Sequence, residues 1–83
     1  MSPRAALSKR DVAKKYKGYP DTRAALQTAQ ALGWRVIPNG HGVRMLCPLH
    51  DRNGCARSIA GTPRSDGFEA QRIEYLVLGC THC

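Results

Sequence analysis

The sequence predicts an α+β domain of order α-β-β-β-α: a three-stranded antiparallel sheet with two helices on one face, preceded by a flexible basic arm. Three observations carry that prediction. Helical spacing of apolar residues frames the chain at 21–33 and 66–79, three short alternating runs lie between, and the lysines crowd into the first twenty positions. The 83 residues leave no length for a second core, and 42% hydrophobic content is enough to fold one. The organisation expected is an arm over 1–20 and a domain over 21–83.

Residues 1–20 hold six cations (Arg4, Lys9, Arg10, Lys14, Lys15, Lys17) against the single acid Asp11, a local balance of +5 within a total of +7. Every lysine lies in this stretch, and every later cation is an arginine. A basic arm before a nearly balanced domain suits attachment to a phosphate backbone. Tyr16 and Tyr19 interleave the run, at positions from which rings stack on bases. The alternative is a solvated extension that keeps the protein soluble.

The first helix is expected over 21–33, with Asp21 as N-cap, helix formers and an apolar stripe supplied by Ala24, Ala25, Leu26, Ala29 and Leu32, and Gly33 as its stop. Trp34–Ile37 alternates as a strand that Pro38 ends or places at an edge. Asn39-Gly40-His41-Gly42 is the clearest turn signal, and Asn-Gly predicts a type I′ hairpin. Val43–Cys47 forms the second strand, with Val43, Met45 and Cys47 on one face. Residues 48–54 form a loop, Cys55–Ala60 a third strand, and Gly61-Thr62-Pro63 breaks it. In the last helix Ala70, Ile73, Val77 and Cys80 make the apolar stripe, with Phe68 and Leu76 beside it. Gly79 then releases Cys80-Thr81-His82-Cys83.

No window approaches the ~18 apolar residues of a membrane span, and the start lacks the apolar run of a signal peptide, so a cytoplasmic protein is expected. Four cysteines and three histidines in so short a chain point to a metal or to buried thiols there. Cys47, His50, Cys55 and Cys80 are the candidate zinc ligands, with Cys83 as an alternative fourth. Thiolate and imidazole are the donors zinc prefers, and such a site would pin the last helix to the sheet. Cys47-x2-His50-x4-Cys55 is not a standard finger spacing. Buried free thiols, or disulfides such as Cys47–Cys55 outside the cytosol, are the competing readings.

His41 sits in a turn flanked by glycines, where an imidazole projects freely. Imidazole exchanges protons near neutral pH, the chemistry needed to activate a ribose 2′-hydroxyl or to protonate a leaving oxygen. Arg35 and Arg44 fall on adjacent strands, both opposite the Trp34/Val36 and Val43/Met45 faces, and would form a cationic sheet face that grips phosphates. The parity of Arg57 leaves its side open.

The run from Asp21 to Gly79 resembles the HicA family of small bacterial toxins. The resemblance rests on Leu32-Gly33-Trp34-Arg35-Val36, similar to the family's Leu-Gly-Phe before its first strand. It rests also on Asn39-Gly40-His41, where the family has Gly-Ser-His, and on the Ala60-Gly61-Thr62-Pro63 break, similar to HicA-like actinobacterial proteins. Family members are mRNA interferases with a fold like that of double-stranded-RNA-binding domains. The resemblance therefore implies an RNA platform, His41 as the catalytic residue and an antitoxin protein as partner. Gly40 in place of serine, Gly42 after the histidine, the basic arm and the Cys/His-rich loop depart from the family pattern. The reading from another class is a non-enzymatic, zinc-stapled nucleic-acid-binding or regulatory adaptor from a phage or mobile element.

Overall fold

The computed structural model describes residues 6–48 and 56–79. The element order is α1 (Lys9–Lys15), α2 (Pro20–Ala31), β1 (Arg35–Asn39), β2 (Gly42–Leu46), β3 (Ala56–Ile59) and α3 (Asp66–Gly79). The three strands form an antiparallel sheet in the order β1-β2-β3, with Val36 opposite Met45 and Val43 opposite Ile59. The α+β class and the order of the predicted elements hold. There are three helices, however, where two were expected.

The additional helix lies in the segment expected to be a flexible arm. Ser8 and Asp11 cap it reciprocally: the Asp11 N–H donates to Ser8 Oγ at 3.1 Å, and the Ser8 N–H donates to Asp11 Oδ2 at 3.1 Å. Those bonds hold the Asp11 carboxyl below the usual carboxylate range, helped by Lys14 and Arg10. Val12 and Tyr16, four residues apart on one side of α1, are fully buried in the core. Burying two such side chains gives α1 the tertiary support that seven residues of helix lack alone. Tyr16 therefore packs against protein and is not free to stack on bases.

The start of α2 also differs from expectation. The helix opens at Pro20 with Tyr19 at the N-cap and no side-chain cap of its own. The capping carboxylate comes from Asp66, at the first position of α3: its oxygens accept from the backbone N–H of Asp21 at 2.9 Å and of Thr22 at 2.7 Å. Thr22 Oγ1 returns a bond of 3.2 Å to the Asp66 carbonyl. One acid thus pins together the beginnings of two helices that lie side by side. Desolvation pushes the Asp66 carboxyl up, but the bonds from Thr22 and Asp21 outweigh it and hold it below its ordinary value.

The core lies between the sheet and the helices: Val36, Val43, Met45 and Ile59 from the strands meet Leu26, Ala29 and Ile73 from α2 and α3. Pro38 falls inside β1, which is an edge strand, the place where a residue without an N–H does least harm. The rest of that edge is partly covered, since the Leu7 N–H donates to the Val36 carbonyl at 2.7 Å. Among the described residues no helix is long and apolar enough to cross a membrane.

Candidate nucleic-acid interface

His41 occupies the apex of the β1–β2 hairpin and is exposed. Asn39 pairs with Gly42, so Gly40 and His41 are the two loop residues. Gly40 has φ +62°, and among the described residues no non-glycine residue has positive φ. That pattern belongs to a II′ turn, with glycine at its first central position, and not to the I′ turn that Asn39-Gly40 suggested. The turn places the imidazole outside the sheet while its backbone is gripped. A Cβ on Gly61 would collide with the His41 carbonyl, so the β3–α3 connection lies directly against the turn. Among the described residues no side chain hydrogen-bonds the His41 ring.

A second contact brings the basic helix to the same end of the molecule. The Tyr16 hydroxyl donates to the Ala60 carbonyl at 3.0 Å, beside Gly61. Tyr16 follows α1 directly, so the exposed Lys14 and Lys17 and the half-buried Lys15 stand at the His41 end of the sheet. Burial and, secondarily, the Glu69 carboxylate push the Tyr16 hydroxyl up to about 12. Lys9 and Arg10 are exposed on the first turn of the helix. Lys9, Arg10, Lys14, Lys15 and Lys17 are thus carried on folded structure, while Arg4 lies outside the described residues.

Arg35 and Arg44 project from the sheet face that the helices leave open. Arg35 pairs with Leu46 and Arg44 with Ile37, which makes the two arginines diagonal neighbours, ~7–8 Å apart by sheet geometry. Both are exposed, and Ile37 and Leu46 between them are half-buried. Arg57 points the other way, under α3, where it pairs with Glu69 at 3.4 Å. That is the one ion pair among the described residues. Lys9, Arg10, Lys14, Lys15, Lys17, Arg35 and Arg44 therefore keep their charge available to an anionic ligand.

Of the four candidate zinc ligands, His50, Cys55 and Cys80 lie outside the described residues, as does Cys83. Cys47 is a free thiol, fully buried in the apolar core cluster. Among the described residues no three metal-ligating side chains come together.

Sequence reasoning missed the anchoring of α1. The signal was Ser8-x-x-Asp11 followed by Val12 and Tyr16 at helical spacing, obscured by the density of charge around it. The chain matches no family model, no curated protein and no solved structure.

Proposed function

We propose that this protein binds RNA in the cytosol and cleaves the strand it holds, with His41 as the proton-transfer group. The observation that carries this reading is the exposed imidazole at the end of the molecule where α1 presents its lysines. In the proposed step His41 takes the proton of a ribose 2′-hydroxyl. The 2′ oxygen bonds to the adjacent phosphorus, the bond from phosphorus to the 5′ oxygen breaks, and that oxygen takes a proton from water. Only RNA has the hydroxyl this step needs. The lysines of α1 with Arg35 and Arg44, which have no carboxylate partner among the described residues, supply sequence-independent affinity for phosphates. The resemblance to HicA toxins supports the same reading, and with it an antitoxin that silences the enzyme by covering the turn.

The test is incubation of the purified protein with a labelled RNA. Wild type is expected to cut it, and His41→Ala to cut it 10²–10⁴-fold more slowly, the usual worth of one general acid or base, with RNA affinity within a few-fold. Wild type that leaves RNA intact overturns the enzyme.

One observation favours the adaptor instead: no second side chain among the described residues orients the His41 ring, as preorganised catalytic sites require. On that reading the protein binds RNA without cutting it, stapled by zinc through Cys47, His50, Cys55 and Cys80. Stoichiometric zinc in the purified protein and a lower melting temperature with chelator are then expected. Metal-free protein with an unchanged melting curve removes the staple and leaves Cys47 as a core thiol.

A further inference from the structure

The outward face of α3 carries side chains that the proposed cleavage does not use. Phe68, Arg72 and Tyr75 follow one another at four and three residues, so they form a single ridge. Phe68 is 59% exposed and Tyr75 68%, whereas Ala70 and Ile73 of the same helix are buried in the core. The Arg72 guanidinium stands 5.7 Å from the centroid of the Phe68 ring, near enough for a cation–π contact that restrains both. At the start of the ridge, Arg64, Phe68 and Arg72 line a recess of about 450 Å³ that reaches Ala60. The acid in that recess, Glu69, is engaged by Arg57 from the core side, which leaves the solvent side cationic.

The position of the ridge follows from contacts already described. Ala60 accepts the Tyr16 hydroxyl, and the neighbouring Gly61 lies against His41. The ridge therefore begins at the His41 end of the molecule and runs away from it along α3.

Aromatic rings alternating with arginines suit an unpaired nucleic-acid strand, whose bases have free faces for stacking and whose phosphates pair with guanidinium. A duplex hides those faces. Phe68 and Tyr75 are seven residues apart, or roughly 10 Å along the helix at 1.5 Å per residue. That is about three times the ~3.4 Å rise of stacked nucleotides, so the two rings match bases separated along a splayed strand. The formal charge of +7, with one ion pair among the described residues, favours a polyanion over a protein on this face.

We propose that this face of α3 is a single-strand track: Phe68 and Tyr75 stack on unpaired RNA bases, Arg64 and Arg72 hold the phosphates, and the strand is led to His41. The proposal rests on the RNA-binding reading and deepens it by naming unpaired RNA as the substrate.

The experiment measures the affinity of the full chain for a labelled 2′-O-methyl oligouridine, which has no free 2′-hydroxyl to be cut, and for an RNA duplex of equal length, at one salt concentration. Wild type prefers the oligouridine. Phe68→Ala and Tyr75→Ala each weaken oligouridine binding about 5- to 100-fold and leave the duplex nearly unchanged. Both side chains are exposed, so neither variant threatens the fold. Phe68→Trp retains affinity, and the exposed indole it introduces is quenched when oligouridine is added, while Trp34 stays buried. Wild type that binds neither RNA brings down the RNA-binding reading itself. Wild type that binds oligouridine with affinity untouched by both alanine variants overturns the track alone, and makes the ridge a protein-docking surface.

Discussion

The hydroxyl of Tyr16 donates a 3.0 Å hydrogen bond to the carbonyl of Ala60, forty-four residues further along the chain. This bond joins the end of the lysine-rich helix to the connection that supports the histidine turn. Tyr16→Phe keeps the buried ring and removes the bond. It is expected to cost about 1 kcal/mol, the usual net worth of one hydrogen bond, measured by urea denaturation. RNA affinity should fall as α1 loosens. Unchanged stability would mean that the ring alone holds the helix.

The same residue makes a prediction about alkaline pH. Tyr16 titrates at about 12 in the folded protein against an ordinary value of 10. A folded value raised above the unfolded one means that the stabilisation is complete below pH 10 and disappears as the pH rises towards 12. Titration followed by tyrosinate absorbance should show one of the three tyrosines ionising late, with stability declining across that window. Tyr16→Phe should remove the late step.

Asp66 predicts sensitivity at the acid end. Its carboxylate caps α2 from another helix and is held below its ordinary value. A lowered folded value means that its contribution is present above about pH 4 and is lost as the pH falls through the folded value. Asp66→Asn, with one acceptor oxygen in place of two, should lower the melting temperature by a few degrees at pH 7 and flatten its decline between about pH 5 and 3. Asp11, held down by its own capping bonds, should leave a residual slope in that variant.

Gly61 and His41 are in backbone contact, so Gly61→Ala forces the turn to move. Overpacking of this kind costs about 1–3 kcal/mol. Where His41 transfers the proton, cleavage should fall further than RNA affinity does. Equal losses in both would point to general unfolding.

Arg35 and Arg44 lie on the open sheet face without carboxylate partners among the described residues. If each neutralises one phosphate, Arg35→Gln and Arg44→Gln should each reduce the salt dependence of RNA binding by about 0.7 in logarithmic slope. A slope equal to that of wild type would place the RNA on the helices alone.

Local pattern made the strands, α2 and α3 legible, because period-2 and period-3.6 burial is written into neighbouring residues. Val43 and Met45 proved to face the core, and Arg35 and Arg44 the solvent, as alternation required. The exposed His41 was legible too, since a glycine-flanked turn leaves the side chain between its glycines little to pack against. The capping box of α1 was readable as Ser8-x-x-Asp11, but its lysines argued equally for an unfolded arm. The ridge of Phe68, Arg72 and Tyr75 was readable as spacing, yet spacing does not say which side of a helix faces water.

By itself the sequence determined the order from α2 through the three strands to α3, the sheet's two faces and the exposed imidazole at its turn, since each depends on residues a few positions apart. Only the tertiary structure decided that Tyr16 is an anchor and not a stacking ring, that Asp66 caps a helix it does not belong to, and that Arg57 turns inward to Glu69. The physical reason is common to all three. A side chain of ambiguous chemistry takes its role from its partner, and these partners lie twelve to forty-five residues away, brought within reach only when the core closes.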